Sequence, residues 1–230
     1  MQVVLGKGEL KLPRSASGDS SPSLASKAGW ILLRAVEILV ASIALLLTFP
    51  ILILVALYIK WDSPGPAIFR QTRIGKDLQP FSFYKFRTLY ADARERFPEL
   101  YRYEYTPQEL DELQFKTEED PRVTPAGRWL RRTTIDELPN FWNLLKGDVA
   151  IVGPRPEIPE MVKYHAPEHM IKFSVRPGIT GLAQICGRGR LKFHQTNHFD
   201  QQYVLTRSFG LDCRIVLQTV KKVVRLDGAF

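Results

Sequence analysis

From Ile38 to Ile59 the chain carries no charged side chain, and only Ser42, Thr48 and Tyr58 bring a hydroxyl into an otherwise apolar run. Wound as an α-helix at about 1.5 Å per residue, this stretch reaches roughly 33 Å, enough to cross the hydrocarbon of a bilayer. It starts too far from Met1, and runs too long, for the apolar core of a signal peptide, so it is expected to remain as a membrane segment. Beyond Trp61 no other stretch is long and apolar enough to span, and the charged, aromatic-rich remainder reads as one water-soluble domain.

The flanks of the run conflict with simple crossing. Lys27 and Arg34 precede it, Lys60, Arg70, Arg73 and Lys76 follow it, and basic residues favour the cytoplasmic side, so both ends ask to be inside. Pro50, near the middle, removes a backbone donor and clashes with the preceding turn, which predicts a kink. Two geometries stay open on these grounds: a spanning helix with a tolerated proline, or a segment that enters and returns on one face.

The domain plan reads as a flexible tail over residues 1–28, a membrane helix over 29–61 and a cytosolic domain over 62–230. Ser15-Ala16-Ser17-Gly18-Asp19-Ser20-Ser21-Pro22-Ser23 is too polar to order itself, and Asp62-Ser63-Pro64-Gly65-Pro66 forms the joining turn. The expected class is α+β, mainly helical with short strands. A hairpin is predicted from Ala67–Arg70 and Phe81–Phe86, turning over Gly75–Pro80. Helices are predicted over Asp92–Tyr103, Pro107–Phe115, Asp136–Lys146 and Ile158–Tyr164. A basic amphipathic helix over Leu211–Leu226 suits either an anionic membrane surface or the core.

A formal net charge of +8 and a pI near 9.5 fit an anionic partner, whether nucleic acid, an acidic bilayer or a phosphorylated substrate. Cys186 and Cys213 have neither disulfide-framework nor metal spacing and are expected to be reduced thiols. No Walker A motif, no Gly-x-Gly-x-x-Gly after a strand and no kinase catalytic loop is present, which argues against an ATP-driven machine. His165 with His169 and His194 with His198 have the spacing of a zinc pair on a helix. Pro167 interrupts the first pair and neither carries the glutamate of a zinc protease, so they read as structural.

Thr133-Thr134-Ile135-Asp136-Glu137-Leu138-Pro139-Asn140 places two adjacent carboxylates at an expected helix start. With Asp136 as N-cap, Pro139 falls inside the first turn where its missing N–H costs nothing, and the helix dipole favours both charges. An ionised aspartate is a usable nucleophile. Taken alone, such a pair reads as a helix cap; chemistry is suggested by the basic and glycine-rich turns that accompany it. These are Lys85-Phe86-Arg87, Gly127-Arg128, Arg131-Arg132, Gly153-Pro154-Arg155-Pro156 and Arg176-Pro177-Gly178-Ile179-Thr180-Gly181. Guanidinium forks on rigid turns match phosphate oxygens, so a diphosphate is the natural guest. Carboxylates beside a phosphate imply Mg²⁺ between them, with Asp136 and Glu137 as its ligands.

These residues resemble the monotopic phosphoglycosyl transferases, or bacterial sugar transferases, from about Arg34 to the C-terminus. The resemblance is carried by the proline-broken apolar segment, Ile68-Phe69-Arg70-Gln71, Lys85-Phe86-Arg87-Thr88, Asp120-Pro121-Arg122, Asp136-Glu137-Leu138-Pro139, Gly147-Asp148, Val152-Gly153-Pro154-Arg155-Pro156, Arg176-Pro177-Gly178-Ile179-Thr180-Gly181 and Gln184. It implies a re-entrant membrane helix broken at Pro50. It also implies that Asp136 attacks the β-phosphorus of a UDP-sugar, releasing UMP, and that polyprenyl phosphate then takes the phosphosugar. Glu137 and Mg²⁺ would assist, and Arg131 and Arg155, with Lys85, Arg87 and Arg176, would hold phosphate. Asp200 and Tyr203 carry over weakly, and Arg188, Arg190 and Lys192 lie where sugar specificity is expected. Asn140, Leu182 and Cys186 depart from the family pattern without removing a charge from the proposed centre. The implied location is the cytoplasmic face of a bacterial inner membrane, with the phospholipid bilayer as a partner and nucleic acid not expected as one.

Two other readings compete with this one: a helix-tethered basic domain that binds nucleic acid or anionic lipid without catalysis, and a lipid phosphatase or pyrophosphatase. The sequence leaves the sugar, the glycan and the oligomeric state, self-association included, undecided.

Overall fold

The computed structural model describes residues 24–114, 120–187 and 191–225. Most of the expected tail, Phe115, Arg188, Arg190 and Leu226 lie outside the described residues. The apolar run forms the centre of α1 (Leu24–Asp62), a 39-residue helix with Pro50 inside it, which begins within the stretch expected to be tail. The expected break at Pro50 is corrected: the helix continues through it. Proline withholds one N–H from the carbonyl of Leu46, but the turns on either side keep their own bonds, and membrane helices tolerate such a loss. Thr48 Oγ1 donates to the Ala44 carbonyl at 2.6 Å in the same turn.

Along α1 a stripe at helical spacing, Glu37, Ala41, Thr48, Leu52, Val55 and Ile59, is buried or half-buried, while Leu39, Leu46, Leu47, Leu54, Leu57 and Trp61 face outward. Ala41 packs with Leu144 and Val149, and Val55 and Ile59 pack with Ala67, Phe86 and Leu130. The helix therefore lies against the rest of the chain at both ends of its apolar stretch. Polar ties reinforce the two ends. Arg34 donates to the carbonyls of Leu144 at 2.7 Å and Leu145 at 2.5 Å, and Arg176 clasps Glu37 with two bonds of 2.8 and 3.0 Å.

After the turn, β1 (Ile68–Ile74) and β2 (Pro80–Phe86) form the expected antiparallel hairpin, longer at its first strand than anticipated. Its register pairs Phe69 with Lys85, Gln71 with Phe83 and Arg73 with Phe81. Strand alternation puts Gln71, Arg73 and Lys85 on one face and sends Ile74 and Phe86 to the core on the other.

The expected helix over Asp92–Tyr103 is divided into α2 (Ala93–Arg96) and a 3₁₀ turn, Pro98–Tyr101, because Pro98 cannot continue the hydrogen-bond ladder. Helix α3 (Pro107–Glu112) opens with a capping box between Thr106 and Glu109. Helix α4 (Pro125–Thr133) is capped by Thr124, whose hydroxyl accepts from Gly127 N at 2.9 Å. Gly127 is not part of a phosphate turn: a Cβ there would collide with the Thr88 carbonyl, so glycine lets α4 press against the segment after β2.

Helix α5 (Asn140–Lys146) ends at Gly147, left-handed at φ +90°, whose N–H caps the Asn143 carbonyl at 3.0 Å. The fully buried Asn143 staples α5 to β2 by donating to Ser82 O at 2.6 Å and accepting from Tyr84 N at 3.0 Å. Strands β3 (Ala150–Val152) and β4 (Gly178–Thr180) pair in parallel. Gly153 and Gly178 meet backbone to backbone, a contact that a Cβ on either would block, and so lock the loop that carries Arg155. The expected helix at Ile158–Tyr164 is a 3₁₀ turn, Pro159–Tyr164. Helices α6 (Leu182–Gly187), α7 (Phe193–Thr206) and α8 (Phe209–Arg225) follow, α8 burying Ile215 against Val152, Ile185 and Tyr203 while Leu217, Val220 and Val224 stay exposed.

Candidate active site

Thr134 turns the chain at φ +61°, a left-handed conformation in which a β-branched residue is strained, and so ends α4. Ile135–Glu137 then makes one 3₁₀ turn before α5 begins. Asp136 does not cap α5 as expected from the position of Pro139. It sits within this turn, buried at 6% exposure, and faces β2 and the end of α4. The expected place at the positive end of the α5 dipole therefore gives way to a place among cations.

Those cations come from three elements. Lys85 on β2 and Arg131 on α4 both feel the charge of Asp136, and Arg155 on the loop after β3 lies 3.5 Å from Glu137. Burial pushes the Lys85 amine down to about 7; Asp136 resists that shift, and Arg73, Arg131 and Arg155 add to it. Burial likewise lowers Arg131, against the charges of Asp120 and Asp136. Its Nε reaches the Thr88 hydroxyl at 3.3 Å, and its guanidinium stands 3.8 Å from Asp120. Burial would raise Asp120, but the fork from Arg122, at 2.9 and 3.0 Å, outweighs it and holds that carboxyl low.

Arg73 is the member that the motifs missed. It reaches the Pro156 carbonyl at 3.1 Å, and burial with the neighbouring Arg155 pushes it down to about 10, against Glu157, Tyr103 and Glu137. The signal was available in the period-2 alternation of the hairpin, which places Arg73 on the same face as Lys85.

Two expected phosphate ligands are engaged elsewhere. Arg87 is buried and donates to Ser63 O at 2.7 Å, to Ser63 Oγ at 3.1 Å and to the Pro64 carbonyl, so it caps the C-terminal end of α1. Arg176 is held by Glu37 on α1. Both arginines fasten the long apolar helix α1, and their expected role toward phosphate rests on the resemblance alone.

Behind Arg155 lies a buried polar group. Glu157 stands 3.2 Å from His165 and 3.4 Å from Lys172, which in turn is 2.9 Å from Asp200. Burial alone would raise Glu157, but Lys172 and the His165 bond hold it well below the usual carboxylate range. His165 is thus structural, as expected, and Asp200 belongs to this buried group. Tyr203 donates to Asp212 at 2.9 Å within the core.

Asp136 and Glu137 offer two carboxylates, and among the described residues no cluster of three or more metal-ligating side chains occurs. Mg²⁺ takes one or two carboxylates and completes its shell with phosphate oxygens and water, and Asp136 and Glu137 are the carboxylates that would hold it here.

The family model for bacterial sugar transferases matches residues 28–226. This chain belongs to the bacterial sugar transferase family. It is 40% identical over 200 residues to the UDP-glucose:undecaprenyl-phosphate glucose-1-phosphate transferase of Escherichia coli K12, covering 84% of this chain and 40% of that protein. To the Caulobacter vibrioides protein of the same name it is 39% identical over 205 residues, covering 86% of this chain and 71% of that one. To the exopolysaccharide production protein ExoY of Rhizobium meliloti it is 34% identical over 197 residues, 86% of this chain and 87% of the relative. The chain spans less than half the length of several other curated relatives.

Proposed function

We propose that this protein transfers a sugar 1-phosphate from a UDP-sugar to polyprenyl (undecaprenyl) phosphate, releasing UMP and giving a polyprenyl diphosphosugar. The observation that carries the reading is a buried aspartate, Asp136, whose charge acts on Lys85 and Arg131, with Arg73 and Arg155 gathered about the same Lys85 and about Glu137. Cations fixed before the ligand arrives hold a diphosphate without an ordering cost and stabilise charge that grows on its oxygens during transfer. The names of the Escherichia and Caulobacter relatives, which describe glucose 1-phosphate transfer to undecaprenyl phosphate, support the same reaction class.

In this mechanism a carboxylate oxygen of Asp136 attacks the β-phosphorus, and the bond from that phosphorus to the UMP oxygen breaks, the electron pair leaving with UMP. The aspartyl phosphosugar keeps the same cations around it. A phosphate oxygen of the lipid then attacks that phosphorus, and the Asp136 carboxylate departs unchanged. Glu137 aims Arg155 at the phosphate. Mg²⁺, held by Asp136 and Glu137 when bound, would screen carboxylate from phosphate and draw charge from the leaving oxygen.

We place the reaction at the cytoplasmic face of the bacterial inner membrane, as the first membrane step of a glycan or exopolysaccharide. What supports a helix that enters and returns on one face is the pair of ties, Arg34 and Glu37 at one end of the apolar stretch and Ile59 to Pro64 at the other, made to the same domain. Both ends of the apolar stretch are thereby held by one domain.

The test is UMP release by detergent-purified protein given undecaprenyl phosphate, Mg²⁺ and a panel of UDP-sugars. Release that requires the lipid for turnover and disappears in Asp136→Asn is the expected result. Turnover retained by a folded Asp136→Asn protein would remove the assigned nucleophile.

A further inference from the structure

We propose that the groove between the second half of α1 and the outer face of α4 seats the first isoprene units of the lipid acceptor; this rests on the reading of that acceptor as a polyprenyl phosphate. The groove holds about 340 Å³ and is lined by Leu54, Val55, Tyr58 and Trp129. Tyr58 and Trp129 meet edge to face with ring centroids 6.1 Å apart, yet Trp129 remains 45% exposed. A large aromatic ring left open beside an apolar membrane helix is a wall without a full partner.

The groove is joined to the reaction centre by packing. Val55 lines the groove and also belongs to the cluster of Ile59, Phe86 and Leu130, against which Ile135 packs. Ile135 directly precedes Asp136. On the same helix as Trp129, Arg131 feels the charge of Asp136. One short helix therefore has an apolar slot on its membrane side and a phosphate-binding cation on its catalytic side, the two ends that an isoprenyl phosphate needs. Arg128 and Arg132 flank Trp129 on the exposed stripe of α4 and set its height at the level of anionic head groups.

Position favours a prenyl phosphate: the groove packs against the cluster that carries Ile135, next to Asp136, and its volume suits the phosphate-proximal part of one chain. The rest of the acceptor would stay in the bilayer.

The reaction divides in a way that isolates this site. UMP/UDP-sugar exchange without acceptor reads only the aspartyl phosphosugar step, whereas turnover with undecaprenyl phosphate also reads the lipid. Trp129→Ala is expected to raise KM for undecaprenyl phosphate about tenfold while exchange proceeds at the wild-type rate, and Trp129→Phe is expected to restore most of the loss. A short prenyl phosphate bearing a photoreactive group should label a peptide containing Leu54 to Tyr58 or Trp129, protected by undecaprenyl phosphate and not by phosphatidylglycerol. This labelling uses wild-type protein, so it decides the matter even where Trp129→Ala fails to fold. Unchanged lipid KM in a folded Trp129→Ala protein, or equal protection by phosphatidylglycerol, would overturn the proposal. Absence of lipid-dependent UMP release from the folded wild type across the UDP-sugar panel would instead remove the phosphoglycosyl transfer reading on which it stands.

Discussion

Raising the pH above about 7 should discharge Lys85 before any of the arginines beside it, because burial and three guanidinium neighbours bring its amine from an ordinary 10.5 down to about 7 while Arg73 stays near 10. At pH 8 only about one Lys85 in ten would keep its proton in the free enzyme. If that charge helps to capture the donor, kcat/KM for UMP formation should fall about tenfold per pH unit above 7. The assay is single-turnover UMP formation without lipid acceptor, across about pH 6 to pH 8.5, which keeps the titrating phosphate of the acceptor out of the profile. Lys85→Arg carries a charge that persists throughout that range and should flatten the limb. Stability should move the other way. Below about 7 the folded and unfolded chains both hold the proton and the full cost of burying the charge is present. Between about 7 and 10.5 the unfolded chain binds more protons, so stability should rise with pH through that window. An unaltered limb near pH 7 in Lys85→Arg would refute the assignment of that titration to Lys85.

Arg155→Lys should lower UMP formation about tenfold or more with little change in melting temperature, since an ammonium cannot present the planar fork that Arg155 directs past Glu137. Arg87→Met should do the reverse, costing about 3 kcal/mol of stability in a thermal melt by leaving the Ser63 and Pro64 carbonyls without their donor, while the folded fraction keeps its specific activity. Thr134→Gly should add about 1 kcal/mol in denaturant unfolding, because glycine accepts φ +61° without strain. Tags before Leu24 and at Phe230 should both react with an impermeant reagent only in opened cells; labelling of one end from outside would mean a crossing helix.

The sequence made the hairpin, the long apolar helix and the adjacency of Asp136 and Glu137 readable because each is local. Alternation, a long apolar run and a chain neighbour need no tertiary knowledge. Arg73 was readable by the same alternation, once the hairpin register was followed along β1. Arg87 and Arg155 could not be told apart in this way. Each sits in a basic turn beside proline or an aromatic residue, and only the fold brings the carbonyls of Ser63 and Pro64 to one and Glu137 to the other. Arg176 is a stronger case, since its partner Glu37 lies on another element far back in the chain. The start of α5 was misjudged because Pro139 is compatible with a cap at Asp136 and equally with a separate 3₁₀ turn. The left-handed Thr134 decides between them, and no propensity favours a threonine there.

The two sets of ties along α1 make this long apolar helix a wall of the domain instead of a leash. Cutting it away would strip one side from the clusters around Phe86 and Leu144 and take Glu37 from Arg176. A soluble truncation beginning after Asp62 should therefore lose its fold along with its anchor. The same rigidity sets the reach of the active centre. With no slack linker between helix and domain, the distance from Asp136 to α1 is a fixed dimension of the molecule, and the proposed reaction would reach only phosphates presented at that height.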